Sequence, residues 1–120
     1  MAVILIVEDE TFIRLSAEWV LEDLGYEPLL ACDLGEALVH LSAPGMIDAL
    51  FVDIRLNTLE WGGYDVANQA IALRPGLHVL YTSGSQLTSD MTDRFVEGGR
   101  FLQKPYSLTE LEFSIHEMLH

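Results

Sequence analysis

Short apolar segments alternate with longer segments whose apolar residues recur at helical spacing, and this alternation constrains the chain more than any other property of its sequence. Val3 to Val7 is an unbroken aliphatic run that leaves no polar face for water, so it reads as a fully buried strand. Ile13, Ala17, Val20, Leu21 and Leu24 then form one stripe of a helix, which Gly25 can end in the left-handed conformation. Pro28 to Ala31 is a short second strand. Asp33 and Glu36 make a D-x-x-E start for a helix carrying Leu34, Ala37, Leu38 and Leu41, closed by Pro44-Gly45. Ala49 to Val52 is a third strand, followed by a loop through Trp61-Gly62-Gly63 and a helix with Val66, Ala67, Ala70 and Ile71 that stops at Pro75-Gly76. A fourth strand runs from His78 to Thr82, and a helix from about Thr88 to Glu97 has only Met91, Phe95 and Val96 as its apolar face. Phe101 to Gln103 is the fifth strand. Ser107 and Glu110 form a capping box for a last helix with Leu108, Leu111, Ile115 and Met118 on its stripe.

Five such β-α units predict a parallel sheet covered by helices on both faces, a doubly wound α/β domain. A chain of 120 residues with half its residues apolar has material for one core and no room for a second module. In a sheet of this kind ligands bind beyond the carboxyl ends of the strands, where the strand order reverses. Polar residues collect at those ends: Glu8 and Asp9 after the first strand, Asp53 after the third, Thr82 and Ser83 at the fourth, Lys104 after the fifth. Taken singly, each has an ordinary structural use as a helix cap, a turn former or a solvated charge. Together, carboxylates brought close would repel unless a cation neutralised them, and an all-oxygen ligand set suits a hard ion such as Mg²⁺. A carboxylate beside Mg²⁺ can act as a nucleophile toward phosphorus, while an ammonium and a hydroxyl bind the transferred oxygens; Asp53, Lys104 and Ser83 fit those roles.

Net charge narrows the partners. Nineteen acidic against six basic residues leave −13, which repels a phosphate backbone and argues against direct nucleic-acid binding. Cys32 is the single cysteine, so the sequence supports neither a disulfide framework nor a thiolate zinc cluster, and its four histidines lack metal-ligand spacing. Acids at Glu8, Asp9 and Glu10 cut the opening apolar run short of a membrane span or signal peptide, so the expectation is a soluble, cytoplasmic chain with no membrane association.

The segments Ile4-Leu5-Ile6-Val7-Glu8-Asp9-Glu10, the strand-end Asp53, Leu80-Tyr81-Thr82-Ser83-Gly84 and Phe101-Leu102-Gln103-Lys104-Pro105-Tyr106 together resemble the receiver domain of two-component response regulators. The likeness runs from Val3 to the last helix. It implies a flavodoxin-like strand order 2-1-3-4-5 and a stand-alone receiver over residues 1–120 without an output domain. It also implies a phosphorylation-controlled switch, which assists its own phosphorylation and dephosphorylation rather than acting as an enzyme on other molecules. In that family Asp53 would take a phosphoryl group from a phosphohistidine of a sensor histidine kinase or histidine phosphotransfer protein, and a downstream protein would read the result. Mg²⁺ would be held by Asp9, Asp53 and the carbonyl of Arg55, with Glu8 acting largely through water. Ser83, with Thr82 as the alternative, would be the switch hydroxyl, Phe101 would stand at the switch aromatic, and the Lys104-Pro105 peptide would be cis.

The resemblance has gaps. Between Asp53 and the next helix the family commonly carries a Met-Pro pair and then Asp-Gly, whereas this chain reads Ile54-Arg55-Leu56-Asn57-Thr58-Leu59-Glu60-Trp61-Gly62-Gly63, longer and without proline. That segment is read as a surface connection, or as a partner-reading loop anchored by Trp61; Arg55 in it is expected to be solvated and Phe101 to serve equally as a core aromatic. One rival is a Mg²⁺-dependent phosphohydrolase with an Asp nucleophile, which resembles Asp-x-Asp where this chain has Asp53-Ile54-Arg55. The other is a flavin mononucleotide carrier, whose phosphate loop would fall on Glu8-Asp9-Glu10 and be repelled.

Overall fold

The computed structural model describes residues 1–57, 59 and 61–120. Its elements alternate along the chain as β1 (Val3–Val7), α1 (Thr11–Asp23), β2 (Glu27–Ala31), α2 (Leu34–Ser42), β3 (Ala49–Asp53), α3 (Gly62–Leu73), β4 (His78–Ser83), α4 (Ser89–Asp93), β5 (Arg100–Gln103) and α5 (Leu108–Leu119). All strand pairings are parallel and the order is β2-β1-β3-β4-β5. The expected doubly wound sheet is therefore present, and its order reverses between β1 and β3.

Alternation along the buried strands divides the core into two layers. Leu5, Val7, Leu50, Val52, Val79 and Tyr81 pack against α2 and α3 on one face, with Ala37, Leu41, Val66, Ala67 and Ala70 as helix contributions. Ile4, Ile6, Phe51, Leu80 and Leu102 face α1 and α5, meeting Ala17, Leu21, Leu111, Ile115 and Met118. Both faces of β1 and β3 are thus dry, as their aliphatic runs require.

Local signals set the helix ends. Asp33 caps α2 by accepting from Glu36 N at 2.8 Å, and Ser107 and Glu110 form the reciprocal box at α5. Glu36 departs from the box pattern, because its side chain accepts from Cys32 N and not from the cap residue. Gly25 takes φ +90 after α1, the left-handed exit its position called for.

Three expectations need correction. Gly62 and Gly63 are the first turn of α3, not part of a loop: Gly63 donates to Ile54 O at 2.7 Å, and a Cβ there would lie 2.2 Å from Asp53 O. The helix expected from about Thr88 to Glu97 stops at Asp93. Phe95 instead stacks on Tyr81 with centroids 4.2 Å apart, and Val96 N donates to the Tyr81 hydroxyl at 2.9 Å, so tertiary contacts take groups that a longer helix would use. Strands β2, β3, β4 and β5 each gain a polar residue, Glu27, Asp53, Ser83 and Arg100, through pairing with Val3, Thr82, Gln103 and Leu80. In the long β3–α3 connection, Leu56 and Leu59 exchange backbone hydrogen bonds; Thr58 and Glu60 lie outside the described residues. No described helix is long and apolar enough to cross a membrane.

Candidate functional site

The carboxyl ends of β1, β3, β4 and β5 bring Glu8, Asp9, Asp53, Ser83 and Lys104 to one side of the reversal point. Lys104 sits at the centre, its Nζ donating to Glu8 Oε1 at 2.8 Å and to Asp53 Oδ2 at 2.9 Å. Residues 96 and 51 positions away in sequence are joined by one ammonium, which only the parallel sheet can arrange. The Lys104-Pro105 peptide is cis, as the resemblance implied. Burial works against the charged ammonium, but the hydrogen bonds to Glu8 and Asp53 outweigh it and hold its pKa above the ordinary lysine value. Burial pushes the Glu8 carboxyl up to about 7, against the pull of Lys104 and with help from the neighbouring Asp53 charge.

Glu8, Asp9 and Asp53 each offer a carboxylate oxygen within 4.8 Å of the others, a spacing that one hard cation can span. The donor set is all oxygen and lies at a reversal point of the sheet, so the residues present fit Mg²⁺. Asp9 is steadied by Asn57, whose N–H donates to Asp9 Oδ2 at 3.1 Å and whose φ of 49 turns the connection back over the site. Arg14 donates to the Glu8 carbonyl at 2.7 Å and so ties α1 to the end of β1.

Asp53 is 7% exposed and opens into a cavity of about 1120 Å³ that also contains Asp9, Arg55, Ser83 and Lys104. Arg55 is exposed, as expected of it. The two hydroxyl candidates part here. Thr82 alternates with Leu80 toward α5, where its Oγ1 donates to Leu102 O at 2.6 Å. Ser83 alternates with Tyr81, lines the Asp53 cavity and accepts from Ser85 N at 3.1 Å, a bond that leaves its own proton free to be donated. Phe101 is half-buried and stacks on Phe95 with centroids 6.3 Å apart.

Several neighbours of the site were not singled out in the sequence. Tyr106 packs edge-on to Phe51 beside Glu8, where burial pushes its hydroxyl up to about 12. Tyr64, Met91 and Thr88 line the same cavity as Lys104. Tyr106 follows Lys104-Pro105 directly, so its place was open to inference; Tyr64 and Met91 reach the site only through the packing of α3 and α4, which no local pattern encodes.

Comparison with known proteins bears on this geometry. Residues 4–116 match the family model of the response regulator receiver domain. Comparison with curated protein sequences gave no match. Among solved structures, a CheY-like receiver domain protein from Methanospirillum hungatei is 28% identical, covering 99% of this chain and 94% of its own, with a TM-score of 0.86. A response regulator receiver protein from Sinorhizobium medicae is 25% identical over 98% and 94% of the two chains at 0.87. The receiver domain of the hybrid histidine kinase CckA is 29% identical over 99% and 100% at 0.82. With the strand order, the strand-end acids and the lysine that joins them all in place, the chain belongs to the response regulator receiver domain family of two-component signalling.

Proposed function

We propose that the chain is a phosphorylation-controlled switch whose acceptor is Asp53. The observation that carries this reading is Lys104 Nζ bonded at once to Glu8 and Asp53 at the floor of an open cavity. A free Asp53 oxygen attacks the phosphorus of a phosphohistidine on a sensor histidine kinase or a histidine phosphotransfer protein. The new P–O bond forms as the P–N bond breaks, and the bonding pair stays on the imidazole nitrogen, which takes up a proton. Lys104 gives an ammonium to the transferred oxygens, and Ser83 donates its proton to one of them, each interaction strengthening as charge shifts onto those oxygens. Asp9, Asp53 and the Arg55 carbonyl would hold Mg²⁺ directly and Glu8 through water; the ion supplies charge that offsets the repulsion between the carboxylates and the anionic donor.

Signalling then passes to a downstream protein through the surface of α4, β5 and α5. Ser83 gains a charge-assisted bond only in the phosphorylated state, so it biases two packings of the β4–α4 segment and of Phe101 instead of building a new one. The test is incubation with acetyl phosphate and Mg²⁺, followed by intact mass. One phosphoryl group is expected on the wild type and none on Asp53→Asn or in excess chelator. Labelling of Asp53→Asn, or labelling that ignores the metal, refutes the assignment.

A further inference from the structure

Arg94 follows α4 directly, and its guanidinium carbon lies 4.2 Å from the centroid of the Trp61 ring. Trp61 precedes α3 and walls the Asp53 cavity, so this cation–π contact ties the segment after Asp53 to the end of α4. Behind Trp61 the aromatic packing is continuous. Tyr64 lies 5.7 Å from Trp61 and 5.7 Å from Tyr81, Tyr81 stacks on Phe95, and Phe95 stacks on Phe101 at the edge strand. Helix α4 has little else to hold it, being five residues long with Met91 its buried side chain. One atom in this chain of contacts is anomalous: the Tyr64 hydroxyl, on a residue 4% exposed, is buried without a hydrogen-bond partner among the described residues. An unpaired buried hydroxyl raises the free energy of the arrangement that contains it, and a rearrangement that gives it water or a partner removes that penalty.

We propose that Arg94 and Trp61 form a latch that holds α4 in the packing of the unmodified domain, while the unpaired Tyr64 hydroxyl favours release. The identity of the trigger rests on the reading of Asp53 as phosphoryl acceptor; the latch itself is a property of the resting chain. Arg94 is exposed and Trp61 is 44% exposed, so the contact is of the solvent-accessible kind and shifts the latched-to-released ratio about two- to fivefold. The two devices oppose each other. Loss of either latch residue releases α4, whereas Tyr64→Phe keeps the ring, removes the unpaired hydroxyl and tightens the latch.

The test uses the full chain with Arg94→Ala, Trp61→Leu, their double variant and Tyr64→Phe. Amide hydrogen exchange over Met91 to Val96 is measured first without Mg²⁺ or any phosphoryl analogue, and beryllofluoride with Mg²⁺ is then titrated by amide shifts. Exchange is expected to rise about two- to fivefold in each latch variant, no further in the double, and to fall in Tyr64→Phe. The beryllofluoride midpoint moves by the same factor, down in the latch variants and up in Tyr64→Phe. Unchanged exchange in both latch variants, factors that multiply in the double, or a Tyr64→Phe effect of the same sign as Arg94→Ala overturns the proposal. If exchange follows the expected pattern and the wild type binds no beryllofluoride, the latch stands and the acceptor reading of Asp53 falls.

Discussion

Replacing Gly63 with alanine places a methyl group where the backbone of Asp53 and Ile54 already lies. The added carbon would sit 2.2 Å from Asp53 O, 2.6 Å from Ile54 Cα and 2.9 Å from the Asp53 carbonyl carbon. All three are main-chain atoms, so no side chain can turn aside to make room. Carbon contacts are normally about 3.5–4.0 Å, and relief therefore requires α3 and the end of β3 to separate by roughly 1 Å or more. That separation strains the buried packing, by about 1–3 kcal/mol. It also breaks the 2.7 Å bond from Gly63 N to Ile54 O, which adds about 1 kcal/mol. The expected loss is about 3 kcal/mol, a large part of the roughly 5–15 kcal/mol that holds a domain folded. In thermal unfolding followed by far-ultraviolet circular dichroism this corresponds to a Tm lower by about 10 °C. Gly76→Ala is the control, because nothing lies within 4 Å of its Cβ and its change should stay within about 0.5 kcal/mol. A Gly63→Ala variant as stable as the wild type, or a loss matched by Gly76→Ala, refutes the close approach as the reason for glycine here. Acetyl phosphate labelling of the folded Gly63→Ala fraction should also slow, since the displaced atoms belong to Asp53 itself.

Thr82→Val should cost about 1 kcal/mol in urea unfolding, by removing the hydroxyl's bond to Leu102 O, and leave the beryllofluoride response intact. Ser83→Ala should do the reverse, with stability unchanged and the shifts over Thr88 to Tyr106 lost; exchanged outcomes would make Thr82 the switch hydroxyl. Lys104→Ala should keep the fold but lose about 2–3 kcal/mol in chelator by leaving Glu8 and Asp53 face to face, and Mg²⁺ should raise its Tm more than that of the wild type. An equal Mg²⁺ effect on both proteins would remove the cation from this cluster. Arg74 donates to the carbonyls of Leu41 in the last turn of α2 and of Ala43 and Gly45 just beyond it, so Arg74→Ala should cost about 2 kcal/mol and raise amide exchange over 39–45; unchanged exchange there would show those bonds to be idle.

The doubly wound class and the position of the site were legible because they rest on short-range properties, whereas the strand order was implied only by the resemblance to the receiver family. Five apolar runs separated by helical stripes admit few topologies, and acids or a lysine directly after such runs must fall on one edge of a parallel sheet. Asp33 and Ser107 were readable for the same reason, since a cap acts over three residues. Tertiary structure alone decided what depends on atoms distant in sequence. Gly62-Gly63 has the composition of a loop, yet it lies in the first turn of α3, where the Asp53 carbonyl leaves no room for a side chain at Gly63. Phe95 and Val96 have helical spacing, yet Tyr81 draws them out of α4. Thr82 and Ser83 are adjacent hydroxyls that composition cannot rank; pairing of β4 with β3 and β5 sends one toward Leu102 and the other into the Asp53 cavity, because neighbouring residues of a strand face opposite sides of the sheet.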